Sequence, residues 1–296
     1  MRIERHQVDG TRVAKALEDF GDRIGRQVHS YSRAGLMTTT EWQLIADSYL
    51  DHLGALSTTR PGLDTHEAKV LLKDATEAAV GAVSFAAYYP HDRFRVFLDH
   101  PNFGMSYARD DALARDPRHL VTAREWLDAF CLAIVSDTTS PHGEAFCWAR
   151  QLMPDGPPTP TLELVDGFVA HFFEEEVDFP APAEPQPGLR ALRALTDADR
   201  EAFDAALLAL LQDGPHGTTP RSLLPLLPIA LAALAYRTYG WTPAVDTDYL
   251  PHALVTGFET PGPRDPRPDA AASPAAGPAD LDPPGPARLL GQDGQA

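Results

Sequence analysis

The chain has 296 residues, with 42 Asp and Glu against 25 Lys and Arg, a formal net charge of −17 and a pI near 4.9. That balance argues against a nucleic-acid or anionic-membrane surface, because both need clustered cations, and it suits a partner whose own surface is basic. Apolar residues make up 44% of the chain, a normal value for a folded globular protein.

The two cysteines, Cys131 and Cys147, form no CxxC pair and have no His cluster beside them, so neither a disulfide framework nor a zinc site is expected. The charged start MRIERHQVDG lacks the apolar centre of a signal peptide. The longest apolar run, Leu223 to Tyr236, is too short to span a bilayer and contains Pro225 and Pro228. The expected setting is cytoplasmic and reducing.

Val13, Leu17, Phe20, Ile24 and Val28 recur at three- and four-residue steps and predict one helix ending near Gly35. Thr40 is placed to cap a second helix carrying Trp42, Ile45, Tyr49 and Leu53. Asp64 and Glu67 have capping-box spacing and open a long helix that ends at Tyr89. The middle of that helix is mostly Ala, Gly and Val, which lets a neighbour approach closely. Phe94, Val96 and Leu98 alternate with charged residues, the period of a short extended arm over 93–98 without a strong partner strand. The segment PNFGMSYARDD reads as a loop.

From Leu120 to Leu152 two helices joined by a capped turn are expected. Leu120, Ala123, Leu127, Phe130, Cys131 and Ile134 share a face, with Arg124 and Asp128 on one border and Trp126 on the other. Ser140 and Pro141 start the second helix, whose buried face holds Ala145, Trp148, Ala149 and Leu152. A Pro-rich break follows, then a helix from about 160 to 176. Thr196 caps another helix through Leu211. A turn at Pro220 feeds a buried helix ended by Gly240, and Pro251 opens a short last one. The fold class is therefore all-α, a multi-helix antiparallel bundle or stack of helix hairpins. Residues 1–259 form a single domain with a possible sub-boundary in 154–190. The Pro-, Gly- and Ala-rich stretch 260–296 is a disordered tail.

Chemistry is sparse. His142 and Glu144 spell H-x-E, but about 100° per residue sets them on opposite sides of a helix, and no P-C-x-x-C follows. Ser106 lies in a sequence one residue short of G-x-S-x-G, without the apolar strand before it or the helix after it. Asp246 and Asp248 are explained by turns. No glycine-rich phosphate loop or dinucleotide fingerprint is present, so neither a cofactor nor a metal is expected. An enzyme would have to use His119, His142, Asp246 or Ser106. Trp126 with Arg124 and Asp128 can form a recognition hot spot, although a half-buried ion pair with an aromatic edge packed on a neighbouring helix is the preferred reading. The stretch Glu163 to Glu184 contains Glu174, Glu175, Glu176 and Asp178 and no Lys or Arg. Such a run either stays solvated or docks on a cationic protein with salt-sensitive affinity.

ERHQV, FGDRIGRQVHSYSRAG, WQLIADSYLDHLGA, THEAKVLLKDATEAAVGAVSFAAYYP, NFGMSY, REWLDAFCLAI, HGEAF, PRSLLPLLPIALAALAYR and GWTPAVDTDYLPHALVTGFET follow one another over roughly residues 3 to 262. In that order they resemble the immunity protein 49 family of bacterial polymorphic-toxin systems, with close relatives in actinomycetes. The resemblance implies an all-α fold and a non-catalytic role, binding a cognate toxin and blocking it. It carries no catalytic residues over to this chain. Between Asp178 and Asp199 the chain is shorter than expected of close relatives and rich in proline, which bears on partner choice. A helical adaptor for an endogenous protein is the alternative reading.

Overall fold

Side-chain caps set most of the helix starts. The computed structural model describes residues 1–154, 157–173, 178–214 and 217–259, and eleven α-helices lie among them. The segment expected as one first helix is two, α1 (Gly10–Leu17) and α2 (Phe20–Ala34). Asp19 breaks it with a left-handed backbone, φ 43°. The Arg23 guanidinium then donates to the carbonyls of Lys15, Ala16 and Glu18, capping the end of α1. Helix α3 (Thr39–Leu56) starts from Thr38, not Thr40, because Glu41 reaches back to the Thr38 N–H at 2.7 Å. Helix α4 (His66–Tyr88) is capped by Thr65, one residue after the expected Asp64.

Helix α4 is buried along most of its length, and α3 packs beside it. Its small residues do allow close approach, but at Gly81 the neighbour is a strand: an added Cβ would sit 2.9 Å from a methyl of Val96. That strand, β2 (Phe94–Leu98), pairs antiparallel with β3 (Phe103–Tyr107), with Phe94 opposite Tyr107 and Leu98 opposite Phe103. The expected arm therefore has a partner, inside the segment read as a loop. Two hydrogen-bond chains fix the hairpin. Trp42 donates its indole N–H to the Tyr107 hydroxyl at 2.7 Å, which donates to the Met37 carbonyl. The buried Asp74 carboxylate accepts from the Tyr49 hydroxyl and from the backbone N–H groups of Asp99 and His100.

Helices α5 (Ala123–Val135) and α6 (Thr139–Gln151) form the expected pair. Thr122 and Glu125 make the capping box of α5. Thr138 occupies the cap of α6, so Ser140 lies within the helix. Its buried face is Gly143, Ala145, Phe146 and Ala149; Trp148 is half exposed, contrary to expectation. Helix α7 (Pro160–Phe172) brings Phe168 and Phe172 onto Phe130 of α5. Helix α8 (Pro187–Thr196) fills a stretch in which no helix was expected, and Asp199 rather than Thr196 caps α9 (Arg200–Gln212). A 3₁₀ turn at Pro220–Leu223 leads into α10 (Leu226–Tyr239), ended by Gly240 at φ 69°. The span Pro220–Tyr239 is long and apolar enough to cross a membrane by length and composition, longer than the apolar run suggested. However, 56% of its most apolar 18-residue stretch is buried inside the fold. Residues Arg2–Ile3 (β1) pair parallel with Asp246–Thr247 (β4), and α11 (His252–Thr256) closes the described chain. The architecture is all-α with two two-stranded ladders among the described residues. The tail expected over 260–296 lies outside them.

One contact decides how the 3₁₀ turn seats on α3. Exchanging Gly for Ala in a helix interior usually stabilises by about 1 kcal/mol. At Gly54 the new Cβ would lie 2.0 Å from the Pro220 carbonyl oxygen and 2.5 Å from its carbon. Both are backbone atoms, so no rotamer change relieves the clash. Gly54→Ala is expected to lower stability by roughly 2–3 kcal/mol in urea unfolding. An unchanged or raised midpoint would refute this close approach.

Candidate functional site

Helix α3, helix α5 and the 3₁₀ turn meet in a cleft of about 520 Å³ whose polar lining includes Gln43, Asp47, Arg124, Glu125, Asp128 and Arg221. Asp47 and Asp51 lie one turn apart on α3, and Arg124 and Asp128 one turn apart on α5. Arg221 joins the two helices. Its guanidinium bonds Asp47 on one side and the Asp128 carboxylate at 2.5 Å on the other. Its backbone N–H donates to Asp51 at 2.9 Å. Arg124 reaches Asp128 from the rim at 3.1 Å, with its own side chain 73% exposed against 16% for Asp128. The sequence places Arg124 and Asp128 together as neighbours on one helix; Arg221 and Asp47 are added by the fold.

Two carboxylates, Asp47 and Asp128, thus share two guanidinium groups, while Asp51 is held by the Arg221 backbone N–H. Burial holds the Asp47 carboxyl above its usual range, Arg221 opposes that, and Asp128, Asp51 and Glu125 add to it. Glu125 is engaged in the α5 cap through Thr122. The Gln43 side-chain N–H group is buried without a partner among the described residues. Chemically, Asp47 and Asp128 are held by a cation and are poorly placed to act as bases. What the cleft offers is a fixed ion-pair network with the exposed Arg124 at its rim.

The other expected site residues are distributed differently. Trp126 is fully buried, its indole N–H bonded to the Phe146 carbonyl at 2.9 Å and its ring stacked on Phe130. It belongs to the core and has no surface to present, which corrects its reading as a recognition residue. Glu174, Glu175 and Glu176 lie outside the described residues. Asp178 is exposed, and the chain just after it is anchored by Arg193 of α8. That guanidinium sits 4.3 Å over the Phe179 ring and donates to the Phe179 and Pro180 carbonyls.

The candidate catalytic side chains do not form a site. Ser106 is exposed in β3 opposite Arg95, not at a strand-to-helix turn. His119 ends a 3₁₀ turn with its ring edge-on to Phe85. Asp246 pairs with Arg2. His142 lines a small cavity that contains none of the other three, while Glu144 is exposed. Cys131 is fully buried, and burial pushes its thiol well up. Among the described residues no three His, Cys, Asp or Glu side chains are grouped to hold a metal ion.

With this geometry in place, the chain can be set beside known proteins. The family model for immunity protein 49 matches residues 181–254. This is the family that the ordered sequence words resemble. The matched segment begins before α8, includes the 3₁₀ turn that carries Arg221, and ends within α11. No curated protein and no solved structure matches the chain.

Removing Arg221 tests the cleft's electrostatics. Arg221→Met is expected to cost about 2 kcal/mol at pH 7, less than for a fully buried pair because Asp47 is partly exposed. Loss of the cation raises the Asp47 pKa further. A carboxyl raised in the folded state gives a stability that falls as pH climbs from its ordinary range through the folded value. The deficit relative to the parent should therefore shrink when unfolding is measured at pH 5. Equal deficits at pH 5 and pH 7 would show that Arg221 acts through packing alone.

Proposed function

We propose that the protein is a cytoplasmic immunity protein that neutralises a cognate bacterial toxin by stoichiometric, non-catalytic binding. The observation that carries this reading is the immunity protein 49 match over residues 181–254. Composition supports it: a net charge of −17 favours encounter with a basic toxin surface. The working surface is the acidic stretch Glu174, Glu175, Glu176 and Asp178, together with the rim of the cleft at Arg124 and Asp128. Residues 1–259 act as one immunity-like domain, with 260–296 appended.

Co-expression with a toxin gene from its own gene neighbourhood should give a stable complex and restore growth. Failure of both would sink the immunity reading and favour a helical adaptor for an endogenous protein. Reversing the four charges with E174K, E175K, E176K and D178K is expected to weaken toxin binding by about tenfold or more and to flatten its salt dependence. Unchanged affinity and salt slope would place the interface elsewhere.

A further inference from the structure

Away from the Arg221 cleft, α4 turns a second stripe of side chains, Glu77, Gly81, Ser84 and Tyr88, toward β2 and the start of α6. They border a cavity of about 130 Å³ that His142 closes from α6 and Phe94 and Val96 close from β2. Room of this size holds several waters or one short aliphatic chain. Ser84 is only 8% exposed. Neither its hydroxyl nor the Glu77 carboxyl, the Tyr88 phenol or the His142 ring has a hydrogen-bond partner among the described residues. Ser84 is buried and Glu77, Tyr88 and His142 are half-buried, so the cavity presents a carboxyl, a hydroxyl, a phenol and an imidazole with open hydrogen-bonding capacity to what enters it.

The nearby cations are committed elsewhere. Arg95 also borders the cavity, but its guanidinium lies 5.3 Å over the Phe97 ring and against Gly104. Lys73 is bonded to Asp99 at 2.6 Å. Burial holds the Glu77 carboxyl above its usual range; Lys73 opposes this, and Asp74 and Asp99 add to it. Burial lowers the pKa of His142, so its neutral ring keeps a lone pair able to accept a hydrogen bond.

We infer that this cavity is a binding site for an alkylammonium group. Glu77 supplies the counter-charge. Ser84 and His142 accept N–H bonds, and the Tyr88 and Phe94 rings enclose the stem and face the cation. The ammonium comes either from a free small amine or from a lysine side chain of a docked protein. This assignment does not depend on toxin binding.

The test is titration of the full chain with n-butylammonium chloride, 1-butanol and blocked Nα-acetyl-lysine-methylamide, followed by calorimetry and by the NMR signals of the His142 and Tyr88 rings. Butylammonium is expected to bind with a dissociation constant on the order of millimolar, at least about tenfold tighter than butanol, while shifting both rings. Glu77→Gln keeps the side-chain shape, removes a buried charge, and should lose that preference while unfolding at the same temperature or higher. Binding of blocked lysine as well as butylammonium supports a protein-borne ligand, and binding of the free amine alone supports a small molecule. Equal binding of butanol and butylammonium, or no shift of the two rings, overturns the inference. That contrast in the parent protein decides the matter even if Glu77→Gln fails to fold.

Discussion

Three hydrogen bonds converge on the carboxyl of Asp74, a group with no exposed surface. They come from three parts of the chain: α4 provides the acceptor, α3 the Tyr49 hydroxyl, and the hairpin turn two backbone N–H groups. Burial holds this carboxyl above its usual range; the two N–H donors and the Tyr49 hydroxyl oppose this, and the Asp99 charge adds to it. Without an acceptor there, two buried amides and a phenol would be orphaned together, each costing about 1–3 kcal/mol. The hairpin turn would lose its attachment to α4. The hairpin in turn supplies Tyr107, which receives the Trp42 indole and closes on Met37 before α3. The packing of α3 on α4, the seat of the hairpin and the walls of the Glu77 cavity all follow from this arrangement.

Arginine is the second organising element, and its use is mostly internal. Arg23 satisfies the last carbonyls of α1, Arg115 those of Ala86 and Ala87 near the end of α4, and Arg237 those of Ile134 and Val135 at the end of α5. Each sits where the negative end of the helix dipole favours a cation. Arg221 and Arg193 are likewise held by carboxylates and carbonyls. A chain with 25 basic residues against 42 acidic ones thus directs several of its cations inward. The excess of acidic over basic residues is what the proposed toxin encounter relies on.

Helix content was legible because periodicity and capping residues are local. Trp42, Ile45, Tyr49 and Leu53 occupy the face their spacing predicts, and all are buried. Errors arose where a local signal was ambiguous or a distant partner decided. A left-handed Asp19 leaves little trace in hydrophobic spacing. Strand β3 carries Gly104 and Ser106, poor strand formers held by pairing with β2. Helix α8 hides behind prolines, although Leu189, Leu192 and Leu195 recur at three-residue steps and Pro187 sits at its first turn. In the cleft, the i,i+4 pair of Arg124 and Asp128 was visible. Arg221, 93 residues further on, was not, because no local rule links them. Trp126 was read as a border residue because nearly all of α5, not one stripe, is enclosed.

The pairing of β1 with β4 has a bearing on biosynthesis. Asp246 donates its N–H to the Met1 carbonyl, and His6 meets the Tyr249 hydroxyl through both backbone and ring. Arg2 and Ile3 are therefore made well before the strand they pair with. They wait, unpaired, until a segment some 240 positions later has left the ribosome. Helices α3 and α4 can associate long before, since their contacts are close in sequence. The contacts of residues 1–6 with 246–249 thus form only after the chain has been made through β4. A prematurely ended chain would keep its α3–α4 packing while leaving the N-terminal segment open to proteolysis.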